Sequence, residues 1–307
     1  LRSRKNPIAN AASGKFRVNN HAHVIAESEK CNLVFLRHLL NMTDISAYVT
    51  GSTQPKLSQS NLCAMKLPLP SMAEQNAIAN VLSLFDRKIE LNNQLNDYLE
   101  QLVDGKFQEL FGGLNFNATL SDVAEITMGQ SPAGSSYNEE GAGIIFYQGR
   151  GEFGWRFPKR RLYTTEPKRL ACEGDVLMSV RAPVGDLNVA FENCCIGRGL
   201  AAIHSETPSF ALYLMRFLKP QLEAYNGEGT VFGSINGKAL KSLEVALPSH
   251  NEVMQFESFA APIDALIRSN ENETRKLNNL RNYLLPKLMS GEIDVSKVDL
   301  TQLTNNH

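Results

Sequence analysis

The chain has 307 residues, 43% hydrophobic and 21% charged, with a formal net charge of −1. That composition suits two or three domains with ordinary cores and excludes a disordered or disulfide-framed protein. No apolar run approaches the ~18 residues of a membrane span and no signal-like segment opens the chain, so the cytoplasm is the default location and basic residues must matter by position, not by total.

Residues 1–70 are expected to form the C-terminal part of a first globular unit. Leu1 stands where a start methionine would be, which points to a processed end or a cut. His21-x-His23 could set two imidazoles on one strand face, but no third ligand follows at metal spacing, so no metal site is expected. Unless a second copy covers it, the apolar surface around Phe35, Leu36 and Leu39 is expected to face water.

Residues 71–113 read as a long amphipathic helix. Pro70 and Ser71-x-x-Glu74 form a capping-box start, in which serine and glutamate each satisfy the other's amide. Ile78, Leu82, Phe85, Ile89, Leu95, Leu99 and Leu102 recur at spacings of three and four. The stripe is narrow and close to a 3.5 repeat, with Glu90, Asn93, Asp97 and Glu100 outside it, which predicts a coiled-coil seam and not a face of a globular core. The helix is acidic, with Glu74, Asp86, Asp104 and Glu109 adding to that charge, and is a poor ligand for DNA.

Residues 114–248 have the pattern of a complete mixed α/β unit. Leu120, Val123 and Ile126 suggest a short opening helix, 144–147, 175–180 and 243–247 suggest strands, and 208–225 carries a helical pattern. The cysteines at 31, 63, 172, 194 and 195 form no CxxC pair and no even framework, which fits a reducing compartment, and Cys194-Cys195 reads as two small apolar strand residues. One stretch is strongly basic: Arg150, Arg156, Lys159, Arg160, Arg161, Lys168 and Arg169, against Glu152 and Glu166. Phe153, Trp155, Phe157 and Tyr163 are interleaved with them. Such a segment can place cations on phosphates and arginines on base edges. The alternative is a solvated hairpin whose aromatics pack inward.

Residues 249–294 repeat the helix. Pro248 and Ser249-x-x-Glu252 open it, and Phe256, Ala260, Ile263, Ile267, Leu277, Leu284 and Leu288 form its stripe. Pro262 and Pro286 are expected to break or kink it and to fray its end. Residues 295–307 form a polar tail.

The two helical stretches are copies. Gly51 pairs with Gly229 at an offset of 229 − 51 = 178, which holds without a gap to Gly113 and Gly291; 13 of these 63 positions are identical, against about four expected from composition. Asn92 and Asn270, also 178 apart, each fill an apolar slot. They are candidates for fixing the register of two antiparallel helices, because a seam asparagine is satisfied only by a polar partner; two solvent-facing asparagines are the alternative. There is no Walker A, no GxGxxG with a ribose acid, no HExxH and no GxSxG elbow, so no catalytic centre and no cofactor are expected.

A globular unit followed by a long helix, twice, resembles the specificity subunit of type I restriction-modification enzymes. The segments LSDVAEITMGQSP (120–132), GDVLMSVRAPVGDLN (174–188), CIGRGLAAI (195–203) and LPLPSMAEQNAIANVLSLFDRKIE (67–90) are similar to that family's recurring motifs. The resemblance implies α/β (mixed α+β) target-recognition domains alternating with long helices that pair as an antiparallel coiled coil. Each domain is implied to read one half of a split double-stranded DNA target. Methyltransferase subunits, which bind S-adenosylmethionine, and restriction translocase-nuclease subunits are implied to dock on a chain that itself catalyses nothing. Arg181 in RAPVG and Arg198 in GRG match family motifs and join the DNA-binding candidates, a structural role being as open. The first recognition domain lacks a counterpart of residues 114–192 and is not expected to read bases, which leaves a fragment, a natural truncation, or assembly with a second copy. A protein-interaction scaffold with little DNA binding of its own is the competing reading.

Overall fold

A computed structural model describes residues 8–20, 22–51, 56–227 and 233–295. The His21 reading, the Gly51–Gly229 pairing and the tail beyond residue 295 fall wholly or partly outside them. The chain divides into two compact units, residues 1–95 with 270–307, and residues 96–269. No described helix is long and apolar enough to cross a membrane.

In chain order the helices are α1 (Leu33–Met42), α2 (Gln59–Cys63), α3 (Met72–Phe111), α4 (Leu120–Val123), α5 (Pro208–Phe217), α6 (Lys219–Glu223), α7 (Gly237–Lys241) and α8 (His250–Met289). The strands are β1 (Ala118–Thr119), β2 (Glu125–Met128), β3 (Tyr137–Asn138), β4 (Ile144–Tyr147), β5 (Tyr163–Thr164), β6 (Leu170–Ala171), β7 (Val176–Ser179), β8 (Leu187–Val189), β9 (Cys194–Ile196), β10 (Leu200–His204) and β11 (Glu244–Val245).

The helices α3 and α8 are each 40 residues long, and both of their ends differ by the repeat offset, 250 − 72 = 178 and 289 − 111 = 178. Both start on the capping box that the sequence predicts. The Ser71 amide donates to Glu74 Oε2 at 2.9 Å and the Glu74 amide to Ser71 Oγ at 3.3 Å; the Ser249 and Glu252 pair repeats this at 2.8 and 3.4 Å. Contrary to expectation, Pro262 does not break α8. Its ring is exposed, the carbonyl its missing amide frees belongs to exposed Ser258, and buried Phe256, Ala260 and Ile267 anchor the helix on both sides. Pro286 does not fray the end either: its carbonyl accepts from Ser290, and Gly291, at φ +76°, closes the helix in the left-handed conformation.

In the first unit α3 and α8 run antiparallel, Asp86 meeting Arg281 while Asn92 meets Glu273. Phe35 and Leu39 of α1 are buried against Ile78, Leu82 and Leu288. The apolar surface expected to face water around α1 is thus covered by the helix pair. Asn32 caps α1 and its backbone amide donates to Gln75 Oε1 at 3.0 Å, which fixes α1 on the start of α3.

The second unit is layered about the four-stranded sheet β2-β10-β7-β8. Period-2 alternation sends Val176, Met178, Ala201 and Ile203 to one core with α5 and the ends of α3 and α8. Leu177, Leu200 and Ala202 face the other core, shared with the five-stranded sheet β3-β5-β4-β9-β6. All pairings are antiparallel except β4 with β9. The Cys194 and Cys195 side chains are buried in β9, as two small apolar residues would be.

The predicted seam shifts. Leu95 and Leu102 are 42% and 53% exposed, whereas Asn92, Asn96, Val103 and Phe107 are buried. Ile78, Leu82 and Asn92 are buried as expected, so the departure is confined to the C-terminal part of α3, where the buried face lies about one residue, ~100° of helix, from the expected one. The reason is the aromatic cluster of the second unit: Phe107 stacks edge-on to Phe111 at 5.0 Å and to Phe256 at 5.3 Å. Val103 and Phe107 thus belong to a globular core, while Asn92 keeps its expected place between the paired helices.

Candidate nucleic-acid interface

The basic stretch does not act as one surface. Arg156, a DNA-binding candidate by sequence, is 4% exposed. It donates to Asp264 Oδ1 and to the Tyr213 hydroxyl, both at 2.9 Å, and lies 3.3 Å from Glu100. Burial alone would disfavour its charge, but Tyr213, Asp264 and Glu100 outweigh that and raise its pKa. Glu100 shows the opposite balance: burial pushes its carboxyl up against the pull of Arg156 and Arg216. Arg216 continues the cluster, reaching Glu100 at 2.9 Å and Asp104 at 2.6 Å. Arg156 therefore joins its loop to α3, α5 and α8, and has no face left for DNA.

The aromatics follow the hairpin alternative in part. Phe157 is buried and packs edge-on to Phe191 at 5.2 Å, and Phe153 and Tyr163 lie against the inter-sheet core. Trp155 alone of the four is largely exposed.

The remaining candidates reach the surface in two groups. Arg150, Arg160 and Arg161 are exposed but paired with Asp186, Glu192 and Glu152 respectively. Lys159, Lys168, Arg169, Arg181 and Arg198 are exposed and, among the described residues, form no salt bridge. Two of these come together through the sheet. The Val180 amide donates to the Gly199 carbonyl at 3.0 Å, which sets Arg181 and Arg198 at the same end of β7 and β10. Arg181 also bridges to Ser234. Arg169 lines a cleft of about 800 Å³ together with Lys238, Lys241, Thr127 and Ser121. Lys238 and Lys241 were missed by sequence reasoning. Their only signal is two lysines in a five-residue helix, and it is the packing of α7 beside β2 that brings them to Arg169.

The asparagine pair is asymmetric. Asn92 is buried and donates to Glu273 at 2.7 Å, Thr274 at 3.3 Å and the Asn270 carbonyl at 3.5 Å. Asn270 is half-buried and offers its backbone to this contact. At the other predicted polar position, His23 Nε2 lies 2.8 Å from the Leu57 carbonyl.

The sequence profile of the type I restriction modification DNA specificity domain matches residues 4–101 and 117–282, most of the chain. The chain belongs to that family. A Methanocaldococcus jannaschii protein assigned as the specificity subunit of the type I restriction enzyme MjaX is 35% identical over 289 residues, covering 86% of this chain and 68% of that one. The MjaIX specificity subunit of the same organism is 25% identical over 309 residues, 86% of this chain and 70% of that one. The solved S subunit of a type I restriction-modification system from M. genitalium has a TM-score of 0.57 at 19% identity, over 84% of this chain and 73% of that one, and shows the same fold. The chain is a DNA-specificity subunit of the type I class, a non-catalytic role, and its mixed α/β unit with paired long helices is the architecture of that family.

Proposed function

We propose that this specificity subunit reads one half of a split duplex target through its mixed α/β recognition domain, residues 114–248. The contact is made by the unpaired surface cations Lys159, Lys168, Arg169, Arg181 and Arg198, joined by Lys238 and Lys241. What carries the reading is that, among the described residues, these cations have no acidic partners while other basic residues of the same unit are paired. Unpaired cations are what phosphate contacts require, since binding then breaks no existing ion pair.

Residues 71–113 and 249–294 serve as the spacer. The register fixed by Asn92 sets their pairing, and the length of the pair sets the gap between half-sites. Leu91 and Leu95 of the first unit are exposed on one side of α3, a patch suited to an apolar partner helix. It is the seat we assign to methyltransferase subunits; the translocase-nuclease subunits join that complex in the cytoplasm, where its DNA lies.

The test is to map methylated sites in a random duplex library with this chain bound to its methyltransferase partner. A split motif with one fixed gap is expected, and one heptad inserted after Asn92 with another after Asn270 should lengthen that gap. An unchanged gap refutes the spacer role, and no enriched motif refutes DNA reading by this chain.

A further inference from the structure

At the entry to β7 the backbone folds tightly on itself. Gly174 takes φ +90°, the Asp175 amide donates to the Cys172 carbonyl at 3.1 Å, and the Cys172 amide donates to Asp175 Oδ2 at 2.7 Å. The turn holds the Cys172 side chain beside the Asp175 carboxylate. Strand pairing adds a third group. Ile203 of β10 faces Val176 of β7, so His204, one residue further on, comes opposite Asp175, with Nδ1 2.6 Å from Oδ1. A thiol, a carboxylate and an imidazole thus bring ligand atoms within 4.8 Å of one another.

We propose that Cys172, Asp175 and His204 bind a Zn²⁺-type cation. The donor set selects the ion: sulfur and imidazole nitrogen suit a borderline-soft metal, while Mg²⁺ and Ca²⁺ require oxygen ligands throughout. Three protein ligands leave the fourth tetrahedral position for water.

The 2.6 Å contact of His204 with Asp175 is a hydrogen bond that has to open for both to reach one ion. Bonds of about 2.0–2.3 Å in a tetrahedron place ligand atoms roughly 3.3–3.8 Å apart. The groups that must adjust are the ones free to do so. Asp175 is 6% exposed and held by the Cys172 amide, whereas the His204 side chain is 54% exposed and Cys172 is also exposed. The local field also favours a cation, because Glu125 lies opposite His204 across β2 and β10. On binding, Cys172 loses its thiol proton to solvent and His204 ligates as the neutral imidazole, so affinity rises with pH. The bound ion ties the Cys172–Asp175 turn to the end of β10, and its effect is on the stability of this unit.

The test uses the untagged full chain with Co²⁺ or Zn²⁺ alone as probe. One equivalent of Co²⁺ is expected to give a thiolate-to-metal charge-transfer band. Zn²⁺ should protect Cys172, but not exposed Cys63, from iodoacetamide in peptide mapping. Cys172→Ser should abolish the band. His204→Ala should weaken binding at least as much as the roughly 10- to 100-fold that loss of an outer-shell partner costs. Cys172→Ser should leave metal-free melting as in the parent, whereas His204→Ala also removes a partner of buried Asp175 and should lower it; if either variant misfolds, alkylation of the parent chain decides alone. Unchanged alkylation of Cys172 in Zn²⁺, or one equivalent still bound by the C172S/H204A double variant, overturns the site.

Discussion

Asp86 and Asp264 stand one repeat apart, 264 − 86 = 178, and in each unit this aspartate joins a long helix to the elements packed on it. Asp86 of α3 accepts from His38 of α1 at 3.1 Å and Arg281 of α8 at 2.6 Å, with Arg37 also on it. Asp264 of α8 accepts from Tyr213 of α5 at 3.1 Å and from Arg156 at 2.9 Å. The hydrophobic neighbours repeat as well: Phe35 packs with Ile78 in the first unit, and Tyr213 with Phe256 in the second, each pair again 178 from the other. The duplication preserved a buried aromatic beside a helix aspartate while the cations that satisfy it were replaced.

Asp86 should make the chain sensitive to acid. Burial pushes its carboxyl up, but hydrogen bonds from His38 and Arg281 and the charge of Arg37 outweigh it and hold the pKa well below the usual carboxylate range. A depressed folded pKa stabilises fully above the unfolded value of about 3.9, and the contribution is lost as pH falls through that value toward the folded one. Asp86→Asn should cost about 2 kcal/mol at neutral pH, from hydrogen bonds to a charged group. Melting curves of the two proteins should begin to converge only as pH falls below about 4 and go on converging toward the folded pKa; a gap that stays constant there would show that the charge of Asp86 is not what is lost.

Arg156→Ala should destabilise by about 3–5 kcal/mol, since it strands Asp264 and Glu100 without their cation. Arg160→Ala removes only an exposed pair with Glu192 and should cost less than about 1 kcal/mol. Denaturant unfolding of both variants distinguishes the two. Equal, small losses would return Arg156 to the list of DNA contacts.

Salt dependence of DNA affinity, measured on the methyltransferase-bound complex, separates phosphate contacts from base readers. Each of Arg169→Ala, Lys238→Ala and Lys241→Ala should flatten the log–log salt slope by about 0.9 and weaken all sequences alike. Arg198→Ala or Arg181→Ala should instead cost ~1–3 kcal/mol and relax one position of the target, as loss of a base contact does. An unaltered slope in the first three would remove the cleft from the interface.

Much of this protein was legible from sequence because it is decided locally. Helix starts are set by four-residue capping boxes and the duplication by a constant offset, and both agree with α3 and α8; the length of α8 was not legible, because Pro262 and Pro286 predict a break and a frayed end that the helix does not show. The strands at 144–147 and near 176–179 were likewise visible as short apolar runs. Tertiary structure decided what depends on partners distant in the chain. Leu102 and Val103 are adjacent on one helix, and only the core built around Phe107 and Phe256 determines that the valine is buried and the leucine is not. Seven basic residues between 150 and 169 look equivalent in sequence, yet Asp264 and Tyr213 take Arg156 into the interior. Cys172 and Asp175 meet His204 only through the β7–β10 register, a spacing of 29 residues that no local motif records. Side-chain burial and ligand convergence are properties of long-range packing, and chain-local physics leaves them open.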